Sequence, residues 1–163
     1  MNKELSALLC EVDKLKALYE LSKTAAPDHY EPGMMEYLDQ SYGSFDEASG
    51  ELLLRFEARG TRYEGRTEQI EKMKVGDPVQ VVRESDNPYN HNNFYLATAK
   101  GKNIGNVPAE LCNAMAPLYD AGQLQIQSAR VSFVEPISQR SRHAKQAVLF
   151  AEFRADVISQ RTL

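Results

Sequence analysis

Glu51-Leu52-Leu53-Leu54-Arg55-Phe56-Glu57-Ala58-Arg59 is the stretch from which the fold is read. Leu52, Leu54, Phe56 and Ala58 alternate with Leu53, Arg55, Glu57 and Arg59, the period of a strand that buries one face. Towards the C-terminus, Val79, Val81 and Val82 predict a second strand, entered through a Gly76-Asp77-Pro78 turn. Phe94 to Ala99 and Asn103 to Val107 predict a third and a fourth, joined by Lys100-Gly101-Lys102, whose glycine suits a tight hairpin. Pro108 opens a helix, where a missing N–H costs nothing. Leu111, Met115 and Leu118 give that helix an apolar side, and Gly122 stops it. Leu124 to Val134 and Ala147 to Val157 predict two more strands, joined by the polar, basic stretch Ile137 to Gln146. Short turns between neighbouring strands imply antiparallel pairing. Six short strands and one helix predict a mainly β (α+β) domain, a small barrel or strongly curled sheet with the helix closing one end.

Towards the N-terminus, Leu5, Leu8, Leu9, Val12, Leu15 and Leu18 recur at spacings of three and four. Lys3, Glu4, Glu11, Asp13, Lys14, Lys16 and Glu20 fill the other positions, which predicts an amphipathic helix from about residue 2 to 23. Its stripe needs a cover: the rest of the chain, a second copy in a homodimer, or another protein. Residues 24–50 are punctuated by Pro27, Pro32, Gly33, Gly43 and Gly50 and read as a connector, the expected place for mobility. Met34, Met35, Tyr37 and Leu38 suit one short helical turn within it. The expected organisation is a helix and connector over 1–50, a β domain over 51–158 and a tail over 159–163.

A chain of 163 residues, 42% hydrophobic and 26% charged, can build one domain with an attachment but not two full domains. No apolar run approaches the roughly 18 to 20 residues of a membrane span. Met1-Asn2-Lys3-Glu4 leads into a charged segment without an apolar signal region, so a cytoplasmic protein is expected. Cys10 and Cys112 lack zinc spacing, and His29, His91 and His143 are scattered, so no metal or other cofactor is expected. Neither G-x-S-x-G, H-E-x-x-H nor a G-x-x-x-x-G-K-[S/T] phosphate loop occurs. Asp86 and His91, five apart in a turn, read as solvated rather than as an acid–base pair. The expectation is a protein that is not an enzyme. Residues 1–50 carry four Lys/Arg against ten Asp/Glu, a net of −6, and residues 51–163 carry fifteen against thirteen, a net of +2. The β region is therefore free to meet an anionic partner.

One segment is too particular to be generic: Arg83-Glu84-Ser85-Asp86-Asn87-Pro88-Tyr89-Asn90-His91-Asn92. After a strand comes Gly101-Lys102-Asn103-Ile104-Gly105-Asn106-Val107-Pro108-Ala109-Glu110-Leu111, then Ala116-Pro117-Leu118, and Gly60-Thr61-Arg62-Tyr63 stands upstream. Together they resemble the HIRAN domain, whose pattern runs R-x-P-x-N-P-Y-D-x-N-A, a strand, then G-x-x-I-G-x-V-P-x-x-L. The resemblance covers about residues 51 to 158. It implies a small OB-like or SH3-like antiparallel β-barrel with one or two short helices, here preceded by the N-terminal helix. It also implies a non-catalytic module that binds DNA, notably single-stranded DNA ending in a free 3′ hydroxyl. Since the family occurs on fork-remodelling ATPases, a link to DNA repair or stalled-fork processing is implied as well.

A single-strand end needs a flat surface for a base, donors for phosphate and small polar groups for the hydroxyl. Tyr63 and Tyr89 are the stacking candidates, a contact worth roughly 1 to 3 kcal/mol per base. Arg62 is the candidate phosphate donor. Asn87, Asn90 and Asn92 are the candidate groups at a sugar or base edge. Asn106 stands where helicase-like members carry histidine, Asn90 where the family carries the aspartate implied to hold the terminal hydroxyl, and Asn93-Phe94 where a small-then-aliphatic pair is usual. Arg140, Arg142 and Lys145, with His143, form a second basic element for phosphates. Plainer readings stand beside each of these. Asn-Pro-Tyr-Asn is also turn chemistry, Asn92 also suits a loop brace, tyrosines beside strand ends also pack, Arg62 suits a pair with Glu57 or Glu64, and a basic loop is also a solvated one. The competing function is a protein-interaction module that has lost the end pocket. It calls for an exposed apolar patch near residues 5–18 or 34–38, whereas DNA binding calls for Arg62, Tyr63, Tyr89, Arg140, Arg142 and Lys145 on one face.

Overall fold

The computed structural model describes residues 2–30, 33–63 and 65–158, so the expected tail over 159–163 lies outside the described residues. Asn2 starts the N-terminal helix, α1 (Lys3–Thr24), by accepting the Leu5 N–H on its side chain at 2.6 Å. A 3-10 turn at Pro27–His29 and a short helix, α2 (Met34–Gln40), lead into strand β1 (Tyr42–Asp46). Then follow β2 (Glu51–Glu57), α3 (Arg66–Ile70), β3 (Gln80–Glu84), β4 (Asn93–Ala97) and β5 (Asn103–Asn106). The chain continues through α4 (Ala109–Asp120), β6 (Leu124–Glu135), a 3-10 turn at Ile137–Gln139, and β7 (Val148–Val157).

The strands form two antiparallel sheets, ordered β1-β2-β7-β6 and β3-β4-β5. Isolated bridges join them at two corners, Arg59 with Asn106 and Pro78 with Arg130. The mainly β, OB-like expectation holds, but the two sheets do not close into a barrel: single bridges, not continuous strand pairing, join them. Leu52, Leu54 and Phe56 point into the core, as their alternation requires, and meet Phe153, Ala151 and Ala155 of the central strand β7.

Two elements escape the sequence reading. The connector expected over 24–50 contains β1, which pairs with β2 from Tyr42–Arg55 to Asp46–Glu51 and so extends the sheet. The helix α3 was not expected either. It follows Gly65, whose φ of +88° a side chain disfavours, and Glu68 folds back to accept the Gly65 N–H at 2.7 Å.

The α1 stripe is covered within the chain. Leu8, Val12 and Leu15 are buried in the common core, and Leu5 and Leu18 pack against it. The close approach of α1 to β1 depends on Gly43: a Cβ there would stand 2.7 Å from the Val12 carbonyl oxygen. Tyr19 of α1 then meets Tyr42 of β1 edge to face, with centroids 5.0 Å apart. Among the described residues no helix is long and apolar enough to cross a membrane.

Candidate functional site

The loop between β3 and β4 is fixed by its own amides. Its two ends, Glu84 and Asn93, are register partners. Asn87 Oδ1 accepts the N–H groups of Tyr89 and Asn90 at 2.9 and 3.0 Å, and Asn87 Nδ2 donates to Glu84 Oε1 at 2.8 Å. Asn90 Oδ1 accepts the Asn92 N–H at 3.0 Å. Asn90 and Asn92 both donate from Nδ2 to Asn113 Oδ1 on α4, at 3.1 and 3.3 Å. The three site asparagines expected in this loop thus brace the turn. Their work leaves Tyr89 standing at the tip with 95% of its surface exposed. Below the loop, Arg83 grips Asp120 of α4 with Nε and Nη2, both at 3.0 Å, and donates from Nη1 to the Asn93 carbonyl at 3.1 Å.

A second corner forms where the chain leaves β2. Arg59 and Asn106 exchange backbone hydrogen bonds of 2.9 and 2.8 Å. Gly60 follows at φ +68°, and its carbonyl accepts Arg66 Nη1 at 2.9 Å. A Cβ on Gly60 would lie 3.0 Å from Arg66 Nη1, 3.3 Å from the Tyr63 ring and 3.4 Å from Asn106 Nδ2, so those three groups converge there. Tyr63 is 54% exposed, and the guanidinium carbons of Arg62 and Arg66 lie 5.5 and 5.3 Å from its ring centroid. Asn106 Oδ1 accepts Asn93 Nδ2 at 3.2 Å, and Asn93 Nδ2 also donates to Glu84 Oε1 at 2.8 Å. This amide chain joins the Tyr63 corner to the Tyr89 loop.

The basic loop after β6 is pinned beside the same corner. Thr61 Oγ1 donates to the Ala147 carbonyl at 2.9 Å, and Ser138 donates its N–H and hydroxyl to Glu71 at 3.0 and 2.8 Å. Arg140 is held inside the loop by Glu135, at 3.2 Å, and by the Gln146 carbonyl, at 3.0 Å. Arg142, His143 and Lys145 are exposed. Burial raises the carboxyl pKa of Glu57 above its ordinary value, and the nearby Arg59 and Arg140 oppose the rise. Burial likewise pushes the Cys112 thiol up to about 11, which keeps it protonated beside β4. Among the described residues no group of three His, Cys, Asp or Glu side chains could hold a metal ion.

Sequence reasoning missed Arg66, Glu84, Asn93 and Asn113 as members of this arrangement. Glu84 and Asn93 lay inside or beside the quoted motif, and a β3–β4 register written out residue by residue would have paired them. Asn113 and Arg66 carry no such signal, because their roles depend on how α4 and α3 dock.

The HIRAN domain family model matches residues 52–148, a span that contains the Tyr63 corner, the Tyr89 loop and the basic loop. The crystal structure of the HIRAN domain of human HLTF is similar at 22% identity, covering 68% of this chain and 84% of that one, with a TM-score of 0.46. A Lactobacillus plantarum protein is similar at 21% identity, covering 64% of this chain and 98% of that one, with a TM-score of 0.48. The solution structure of the HLTF HIRAN domain in its DNA-bound conformation is similar at 19% identity, covering 64% of this chain and 75% of that one, with a TM-score of 0.41. No curated protein matches this chain. With more than half of its length matched by the family model, the chain belongs to the HIRAN domain family.

Proposed function

We propose that this chain is a non-catalytic DNA-binding module that prefers single-stranded or end-bearing DNA, acting where DNA ends are exposed in repair or at stalled forks. The observation that carries the reading is Tyr89. The residue is 95% exposed, yet its backbone is fixed, since Asn87 Oδ1 accepts its N–H and that of Asn90. With the backbone ordered beforehand, stacking the ring on a base costs only the side chain's own freedom. The HIRAN family supplies the partner class, one of its domains having been solved in a DNA-bound conformation. In this reading Arg62 meets phosphate, Tyr63 and Tyr89 take bases, and Asn87, Asn90, Asn92 and Asn106 shape the pocket. Arg140 holds the basic loop, and Arg142 and Lys145 follow the backbone of the strand.

The protein-interaction reading asks for an apolar patch near residues 5–18 or 34–38. Leu8, Val12, Leu15 and Leu38 are buried, which removes most of that patch and leaves Met34, 42% exposed, without them. The test is fluorescence anisotropy at low salt with a short labelled single strand and a blunt duplex, using the wild-type protein and Tyr89→Ala. Loss of one stacked base, roughly 1 to 3 kcal/mol, predicts single-strand binding about 5- to 150-fold weaker in the variant. Failure of the wild type to bind any strand at low salt would remove the DNA reading and return the protein-interaction module as the working hypothesis.

A further inference from the structure

The sheet ordered β1-β2-β7-β6 has two outer strands. The outer side of β6 is partly covered: the Val79 N–H donates to the Ala129 carbonyl at 3.0 Å, and the Val131 N–H to the Asp77 carbonyl at 2.9 Å. Among the described residues, β1 pairs with a strand on its β2 side only. An unpaired edge carries a row of N–H and C=O groups that accept another strand, and proteins blunt such edges with lysine, proline or bulges. Tyr42-Gly43-Ser44-Phe45-Asp46 has neither lysine nor proline, and its register with β2 runs without a break.

Beside this edge lies a groove of about 270 Å³ between α1 and the end of β1. Leu9 and Phe45, both partly buried, supply apolar lining, and Asp13, Lys16 and Glu47 supply charge. Two carboxylates against one ammonium leave the groove acidic. Asp46 stands exposed beside Glu47, and residues 1–50 together carry a net of −6. The groove lies ahead of the span that the family model matches, and none of its lining residues belongs to the Tyr63 corner, the Tyr89 loop or the basic loop.

We propose that β1 and the flank of α1 form a docking site for an extended, basic segment of another protein, which adds to the sheet beside β1. Main-chain hydrogen bonds to β1 hold the segment. Apolar side chains on one of its faces meet Leu9 and Phe45, while the long stems of Lys or Arg bring their charges to Asp13 and Glu47. Docking of this kind draws on the strand edge and calls for no broad apolar patch, so the burial of Leu8, Val12 and Leu15 does not oppose it. A second copy is the poorer occupant, since it would bring together two segments that each carry −6. The proposal stands independently of the DNA reading.

The experiment titrates the full ¹⁵N-labelled chain with a capped octapeptide of alternating lysine and valine at low salt. Its comparisons are two forms N-methylated, one at every lysine and one at every valine, and the glutamate–valine counterpart. The proteins are the wild type and Asp13→Lys/Glu47→Lys, with thermal melts on both and sedimentation of the wild type alone. The lysine–valine peptide is expected to shift the amide signals of residues 42–47. N-methylation removes the N–H groups along one edge and keeps the charge, so one of the two methylated forms loses binding. The double variant keeps its melting temperature and binds about tenfold more weakly, the scale of two exposed charge pairs. Equal binding by both methylated forms reduces the contact to charge alone and overturns the proposal. Equal binding by the glutamate–valine peptide or by the double variant overturns it as well, as do shifts confined to other strands or no shift at millimolar peptide. If the chain alone sediments as a dimer and the peptide leaves residues 42–47 unmoved, a second copy holds the edge and the proposal is overturned. Each of these outcomes leaves the DNA reading standing.

Discussion

Replacing Leu8 by alanine tests whether α1 is part of the domain or an arm laid upon it. Leu8 has 0% of its surface exposed and belongs to the same buried cluster as Leu52, Leu54 and Met115. The substitution removes three carbons, worth about 2.5 kcal/mol at roughly 0.8 kcal/mol each. The cavity left behind carries the total towards about 5 kcal/mol where neighbours cannot collapse into it. For a chain of this length each kcal/mol moves the melting temperature by about 2 to 4 °C, so the expected fall is about 5 to 20 °C. Leu21, on the same helix and 40% exposed, serves as the control: Leu21→Ala should change stability by no more than about 0.5 kcal/mol. Thermal and urea unfolding followed by circular dichroism would compare the two variants with the wild type. Should Leu8→Ala prove no more harmful than Leu21→Ala, α1 does not share the core and the packing argument fails.

Three further expectations follow from the site. Tyr89→Ala should weaken single-strand binding without lowering the melting temperature, because the ring touches little of its own chain; a lower melting temperature would make it a packing residue. Burial raises the folded-state pKa of Glu57, so the stability tied to its protonation is present below the unfolded carboxylate pKa and lost as pH climbs through the folded value. Glu57→Gln should therefore gain on the wild type at pH 7 compared with pH 4 in urea titrations, and the opposite trend would sink the sign. Arg83→Met removes a fork to the half-exposed Asp120, worth at most about 1 kcal/mol, together with the bond to the Asn93 carbonyl. It should cost about 1 to 2 kcal/mol in all, with only partial recovery in Arg83→Lys, whose ammonium cannot fork. Full recovery by lysine would show that geometry is unimportant there.

The β domain was legible because its strands bury one face, and Leu52, Leu54 and Phe56 announce that at every second position. The helix α4 was legible from Pro108 to Gly122 for the same kind of reason. In contrast, β1 is Tyr-Gly-Ser-Phe-Asp and lacks β-branched residues. It is a strand because β2 pairs with it and because Gly43 admits α1, both long-range facts. The helix α3 is five residues long, too short for any period to register. At the site, Tyr63, Tyr89 and the loop asparagines were visible as residue types in a motif. Their division of labour was not: Asn87, Asn90 and Asn92 hold the loop, and Arg140, expected at phosphate, is tied to Glu135 and Gln146. The direction of the Glu84–Asn93–Asn106 chain depends on a cross-strand pair and a sheet neighbour, which no local window contains.

The strand order β1-β2-β7-β6 also bears on how the chain comes off the ribosome. The central strand β7 is the last of the four to be synthesised, and its neighbours β2 and β6 are made before it. Until residues 148–157 have cleared the exit tunnel, both neighbours keep an unpaired edge, and Leu52, Leu54 and Phe56 lack their cover. The local pieces, α1 and the β3–β4–β5 hairpins, can form as they emerge, but the larger sheet can only assemble once β7 arrives. A nascent chain stalled short of Val148 would thus expose an apolar, unpaired strand, the kind of surface that invites aggregation and chaperone capture.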